Sequence, residues 1–352
     1  MVDGKSLRRR RAGPTIGDVA SAAGVSPMTV SRVINRDERV LPDTRAKVTR
    51  AISALGYVPN MAARSLAGAR HCRIMLLHSN PSSAYLSEFL LGSLASARES
   101  GAELVVEQHD PGEDAAALRL RLAAHRIDGV LLPPPLSDDR ALIAALCRDK
   151  FAVAQVGTGR PDPAAHAVSI DDDDAAYGMT AHLLAHGHRR IGFITGPPDQ
   201  TVSTLRLQGY RRAMGAAELD VDPALIVPGD FTYQSGLQAA KALITLPARP
   251  TAIFAANDDM AAAAVGFAHR SGFHVPDDLT ICGFDDTRIA TTIWPELTTI
   301  RQPISDMARL ATDILARSIR LRPDNSDEQP DHLQLGFTLI QRQSDGPPPT
   351  KT

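Results

Sequence analysis

Cysteine is scarce in this chain. Three occur in 352 residues, at Cys72, Cys147 and Cys282, far apart and with no CxxC pair. That excludes a disulfide scaffold and a thiolate metal motif, and it fits a reducing, cytoplasmic setting in which the thiols serve as small core residues. Long hydrophobic runs are missing too. No stretch approaches the roughly 18 to 20 apolar residues of a membrane span, so no membrane partner is expected. Residues 1–13 carry Lys5 and the run Arg8 to Arg11 but no apolar segment, and do not read as a secretory signal. No GxGxxG or GxxxxGK(S/T) follows any strand-like run, which removes the common nucleotide fingerprints. No nucleophile–base set stands out. An enzyme and a cofactor are therefore not expected.

What is present reads as globular: 43% hydrophobic and 22% charged residues, in a chain long enough for more than one domain. The net charge of −2 hides an asymmetry. Residues 1–70 hold 13 Lys or Arg against 5 Asp or Glu, leaving 25 against 35 for the remainder. A basic head on an acidic body points to a polyanion as the partner of the head. The run Arg8 to Arg11 reads either as a solvated tail or as a loose phosphate contact whose affinity depends on salt and not on sequence.

The head is organised around Thr15 to Leu66. Ile16, Val19, Ala20 and Ala23 recur at the spacing of an apolar helix face. Gly24 stops that helix, Ser26 can cap the next one, and Pro27 suits its first turn. Val30 and Val33 point inward, and Pro27, Met28, Ser31 and Arg32 outward. Such a helix-turn-helix can lie in a DNA major groove, although spacing alone fits a plain helical subdomain equally well. A third helix is predicted from Pro42 to Leu55. Leu41 before it offers no capping side chain, a loss of about 1 kcal/mol.

These residues carry a resemblance. Pro14-Thr15-Ile16-Gly17-Asp18-Val19-Ala20, Ala23-Gly24-Val25-Ser26, Thr29 to Asn35, Leu55-Gly56-Tyr57-Val58-Pro59-Asn60 and Ala63-Arg64-Ser65-Leu66 closely resemble the headpiece of the lactose-repressor (LacI/GalR) family of bacterial transcription regulators. The resemblance implies a basic tail at 1–13, a DNA-binding headpiece at 14–58 and a hinge helix with linker at 59–70. It assigns DNA contact to Thr15, Ser26, Pro27, Met28, Thr29, Ser31, Arg32 and Asn35 in the headpiece. In the hinge it assigns Asn60, Ala63, Arg64 and Leu66, with Leu66 as the wedge that kinks the minor groove.

From Arg73 onward strand-like and helix-like segments alternate, which predicts two doubly wound α/β units with ligands at the carboxyl ends of parallel strands. Leu333 to Gln341 reads as a last strand, and 344–352, with three prolines, as a disordered tail. The resemblance implies a periplasmic-binding-protein-like body over 71–343. Its N-lobe would take about 71–170 and 300–330, its C-lobe about 171–299 and 331–343.

A polyhydroxylated ligand needs paired donors and acceptors over an apolar floor. Arg206, Asn257 and Asp285 supply a guanidinium, an amide and a carboxylate, and by resemblance they bond ligand hydroxyls. Phe231 falls where the family places an aromatic ring. Ser83 and Tyr85, from the loop after the first body strand, and Asp173 complete the candidate set. Arg206 could instead form a surface ion pair, Asp258 and Asp286 could cap helices, and Asp171 to Asp174 could be only a capped helix start. His182, His186 and His188 tempt a metal reading, but no neighbouring carboxylate or cysteine completes a set, so no metal is expected.

The expected protein is a cytoplasmic homodimer that binds a pseudo-palindromic operator, a repressor whose DNA affinity is set by a sugar-like effector between the lobes. A transport solute-binding protein and an α/β enzyme such as a sugar kinase or nucleosidase are the rivals. The attached headpiece argues against the first, the missing catalytic motifs against the second.

Overall fold

The computed structural model describes residues 14–34, 39–57, 72–110, 112–321 and 329–349. Contacts divide the chain into two units, 1–71 and 72–352. The predicted positions Asn35, Asn60, Ala63, Arg64 and Leu66, the hinge and the basic tail lie outside the described residues.

The first unit packs three helices, α1 (Ile16–Ala23), α2 (Pro27–Ile34) and α3 (Pro42–Leu55). Its core is small: Val19, Ala20, Val30, Val33, Val48 and Ala51. Local chemistry sets each helix end. The Thr15 hydroxyl accepts from the Asp18 amide, and the Asp18 carboxylate accepts from the Thr15 amide at 2.7 Å, a reciprocal capping box. These bonds, the backbone one first, hold the Asp18 carboxyl below its usual pKa. Gly24 ends α1 at φ 63°, a left-handed conformation that a Cβ penalises. Ser26 Oγ accepts from the Thr29 amide at 3.1 Å and starts α2. Leu41 makes no side-chain cap for α3.

The second unit has two lobes, each a six-stranded sheet. In the first lobe the order is β2 (Glu103–Gln108), β1 (Arg73–His78), β3 (Gly129–Leu132), β4 (Ala152–Val156), β5 (His166–Ser169), β11 (His332–Gln334), all parallel. In the second it is β7 (Ile226–Pro228), β6 (Ile191–Thr195), β8 (Ala252–Ala255), β9 (Thr280–Asp285), β10 (Thr298–Arg301), β12 (Thr338–Ile340), with only β12 antiparallel to its neighbour. Strands β3, β4 and β8 are buried throughout, as continuous apolar runs between helical layers must be. In β1 the pleat sorts side chains by parity. Ile74 and Leu76 join one core, Met75 and Leu77 another.

The helices of the second unit that matter for the site are α4 (Ser83–Ser100), α5 (Ala115–Ala124) and α6 (Arg140–Arg148) in the first lobe. In the second they are α7 (Asp172–Ala185), α8 (Thr201–Ala216), α9 (Tyr233–Ile244), α10 (Asp258–Arg270) and the short α11 (Ile289–Thr292). The long α12 (Ile304–Leu321) returns to the first lobe, packing on α4, β3, β4 and β5. No helix among the described residues is long and apolar enough to cross a membrane.

Three expectations are corrected. The single last strand at 333–341 is two strands in different sheets, because β11 pairs with β5 and β12 with β10. The lobe bounds shift accordingly: β10 belongs wholly to the second lobe, and His332–Gln334 belongs to the first. The segment 344–349 is also ordered against the sheet, contrary to the disordered tail expected there. Ser344 is fully buried, accepts from the Thr298 amide at 2.8 Å and donates to the Ile281 carbonyl at 2.6 Å. Asp345 receives the Thr298 hydroxyl and lies 2.7 Å from His182 Nε2. Buried polar groups at the strand ends require partners, and this segment supplies them whatever its proline content.

Candidate functional site

In the first unit the outward side of α2 carries Pro27, Met28 and Arg32 exposed, with Thr29 and Ser31 half-buried. Met28 is 65% exposed, an unusual setting for a large apolar side chain. Thr15 and Ser26 are exposed as well, their hydroxyls engaged in the caps. The helix thus offers a methyl-rich tip and a guanidinium on one side, while Val30 and Val33 hold the other side in the core.

In the second unit a pocket forms where strands of both lobes end at their carboxyl termini. Asn80, Ser82, Tyr85, Pro134, Gln200, Val202, Arg206, Phe231, Asn257, Asp285 and Gln302 line it. Arg206 on α8 is its centre. Nε donates to Asp172 Oδ1 at 2.8 Å, Nη1 donates to the Ala256 carbonyl at 2.6 Å, and Nη1 lies 3.7 Å from Asp285 Oδ1. The guanidinium also stacks 3.6 Å over the Phe284 ring. Arg206 is therefore a buried ion-paired residue, not a surface one.

Asp285 ends β9 at φ 110°, and its carboxylate accepts from Gln302 at 2.6 Å. Burial pushes its pKa up to about 7 against the counter-pull of Arg206. Asp172, Asp258 and Asp259 are raised too, burial first in each case. Asn257 caps α10 through its Oδ1 and donates through Nδ2 to the Phe231 carbonyl at 3.0 Å. Phe231 is held at φ 66°, a conformation costing about 1 to 3 kcal/mol in a non-glycine residue. Its ring lies where a Cβ on Gly196 would stand 2.1 Å away, so only glycine fits there. The Tyr85 hydroxyl is buried and has no hydrogen-bond partner among the described residues.

Hydrogen bonds at two places latch the lobes, and at one of them the Gly159 amide donates to the Thr201 hydroxyl at 2.7 Å. Ser82 Oγ donates to Asp259 Oδ2 at 2.6 Å. Asp138 of the first lobe accepts from the Thr201 amide at 2.7 Å and from its hydroxyl at 2.9 Å. Gln200, the residue before α8, gives no side-chain cap, so the cap of the helix that carries Arg206 comes from the opposite lobe. With the latches made, the pocket is narrow, with about 30 Å³ of free space.

Of the predicted set, Tyr85, Arg206, Phe231, Asn257 and Asp285 meet in this pocket. Ser83 and Asp173 do not line it. Ser83 is exposed in the first turn of α4, and its neighbour Ser82 lines the pocket instead. Asp173 faces Arg212 at 3.3 Å, whereas Asp172 pairs with Arg206. Asp258 is tied to Thr287 and Thr299, and Asp286 to Arg301 and Arg342. Gln302 was missed, whereas Asn80 and Ser82 lie in the loop 79–85 that was expected to face the cleft. Gln302 stands one residue beyond β10, so the rule that ligands gather at strand carboxyl ends could have found it.

The fold and pocket define a class: a helix-turn-helix unit joined to a two-lobed body with a polar site between the lobes. A model described as bacterial regulatory proteins, lacI family, matches residues 15–60, and one described as periplasmic binding protein-like domain matches 180–344. The HTH-type transcriptional regulator CelR of Thermobifida fusca is 38% identical over 96% of this chain and 99% of its own. The ribose operon repressor of Escherichia coli (strain K12) is 34% identical over 94% and 99%. Among solved structures, the CelR–cellobiose complex matches with TM-score 0.71 and 35% identity over 94% of this chain and 99% of that one. The lac repressor dimer bound to operator and the anti-inducer ONPF matches with TM-score 0.71 and 28% identity over 95% and 99%. The chain belongs to the lacI family of bacterial regulatory proteins and is a DNA-binding transcriptional regulator.

Proposed function

We propose that the protein is a homodimeric repressor whose operator affinity is controlled by a sugar or sugar derivative held between the lobes. The convergence of Arg206, Asn257, Asp285 and Gln302 beneath Phe231 carries this reading, because hydroxyls need such paired donors and acceptors. Tyr85, with its unpartnered hydroxyl, and Ser82 complete the first-lobe side. Relatives support the ligand class, one of them having been solved with cellobiose. Opening of the Ser82–Asp259, Asp138–Thr201 and Gly159–Thr201 contacts widens this site for a sugar. The effector then selects the lobe arrangement its contacts favour, and by linkage operator affinity changes with it.

On the DNA side, α2 reads the major groove, with Met28 against a thymine methyl and Arg32 on a guanine or a phosphate. Thr15, Ser26, Thr29, Ser31 and Asn35 position it, and Asn60, Ala63, Arg64 and Leu66 form the minor-groove hinge. The protein works in the cytoplasm and releases its ligand chemically unchanged.

The test is a thermal-shift and calorimetric panel of mono- and disaccharides, cellobiose and ribose included, on the full-length chain, followed by operator binding with each hit. At least one sugar should raise the melting temperature, change operator affinity and be recovered unchanged. A folded, operator-binding protein that responds to no sugar removes the sugar reading, and turnover of a sugar restores the enzyme rival.

A further inference from the structure

His182 and His186 stand one turn apart at the end of α7, so both imidazoles leave the same face. Their rings meet edge to face at 4.4 Å. The carboxylate missing from their sequence neighbourhood arrives from the C-terminal segment. Asp345 Oδ2 lies 2.7 Å from His182 Nε2 and 3.9 Å from His186 Nε2, and the three atoms all fall within 4.8 Å of one another. His186 Nδ1 is 3.0 Å from the His182 carbonyl, to which it donates. In neutral His186 that bond leaves Nε2 as a bare lone pair facing the carboxylate. Two acceptors then oppose each other with no hydrogen between them, an arrangement that a cation resolves. The Thr298 hydroxyl donates to Asp345 Oδ1, the oxygen away from the histidines, and Gln341 Nε2 donates to Oδ2 at 3.3 Å, so the carboxylate is oriented as ligating carboxylates are.

We propose that His182, His186 and Asp345 bind a divalent transition cation of the zinc class, with a fourth position left to water. Two imidazoles and one carboxylate suit Zn²⁺, Co²⁺ or Ni²⁺ better than Mg²⁺ or Ca²⁺, which take oxygen ligands. On binding, neutral His182 exchanges its single proton from Nε2 to Nδ1 through solvent, which frees the Nε2 lone pair for the ion. Its hydrogen bond to Asp345 is exchanged for one bond from each residue to the ion, with no net release of a proton from the neutral imidazoles. Asp345 is fully buried while the side chains of His182 and His186 are 17% and 29% exposed, so the ion has a protein wall behind it and solvent in front. His188 stays outside the set, its nitrogens engaged by the Thr251 hydroxyl and the Gly346 carbonyl. The ion ties the end of α7 to the segment that closes on β9 and β10, and needs no contact with the effector pocket.

The test uses the full-length chain, stripped of metal with a chelator and titrated with CoCl₂ at neutral pH. The expected result is one saturable site per chain, a visible absorption band of four-coordinate Co²⁺, displacement by Zn²⁺ and a higher melting temperature. His186→Ala leaves the His182–Asp345 hydrogen bond in place, so the chain should fold normally and bind Co²⁺ at least about tenfold more weakly. His125→Ala, in the first lobe, should bind as the wild type does. A folded wild-type chain with no saturable Co²⁺ site, or equal affinity in His186→Ala, overturns the proposal and leaves His182–Asp345 as a staple for the C-terminal segment.

Discussion

The two units place their candidate functional side chains in opposite environments. The first shows them to solvent: Met28 and Arg32 lie outside a six-residue apolar core and hold nothing together. The second buries them: Arg206, Asn257 and Asp285 are all nearly inaccessible and bonded to one another's neighbours. The proposed reading surface can therefore change without cost to the fold, whereas the proposed ligand pocket is part of the fold it sits in. Substitutions in the two units should separate stability from function in different ways.

The largest effect should come from Arg206→Ala. It leaves Asp172 buried without its ion pair, and breaking a buried pair typically costs about 3 to 5 kcal/mol. Chemical denaturation of the body should show that loss together with loss of the effector response. A variant as stable as wild type would break the comparison, since Arg206 would then act in binding alone.

Next in size is a pH effect. Between its ordinary pKa of 3.8 and about 7, folded Asp285 keeps a proton that the unfolded chain releases. The folded state binds more protons there, so stability falls as pH rises through that window. Asp172, Asp258 and Asp259, raised by burial, act in the same direction. His109 and His188, lowered first by burial, act in the opposite one. The informative quantity is thus the difference between variants. Melting curves from pH 4 to pH 8 should fall less steeply for Asp285→Asn than for wild type, and parallel curves would show that Asp285 is ionised throughout.

A smaller change should follow from Leu41→Ser, which gives α3 the side-chain cap it lacks. The first unit should gain about 1 kcal/mol and the body nothing, as read by proteolysis or hydrogen exchange of each unit. The smallest stability effect belongs to Met28→Ala, within about 0.5 kcal/mol for an exposed site. Operator selection with that variant should nevertheless alter the preferred base at one position per half-site. An unchanged preference would take Met28 out of the readout.

Legibility follows the same division. The helix ends of the first unit rest on contacts three or four residues apart, Thr15 with Asp18 and Ser26 with Thr29, and so could be read along the chain. In the body, alternation of apolar runs announced strands and helices, while residue chemistry and the family resemblance pointed to Arg206, Asn257 and Asp285. Errors arose where one residue of phase mattered. A helix turns about 100° per residue, so Asp172 and Asp173, or Ser82 and Ser83, face different neighbours although their chemistry is the same.

By itself, then, the sequence determined the short capped helices of the first unit, the two-lobed α/β class and the side chains rich enough in donors and acceptors to hold a polar ligand, because these depend on local periodicity and residue type; the DNA-binding reading of those helices rested on the resemblance of the whole motif string. Only the tertiary structure decided that the run from His332 to Ile340 serves two sheets, that Asp138 of one lobe caps the helix of the other, and that Asp345 meets His182 from 163 residues away. Such pairings depend on which strand ends and buried donors lack partners once the sheets have formed, and that demand is met across space without leaving a pattern along the chain.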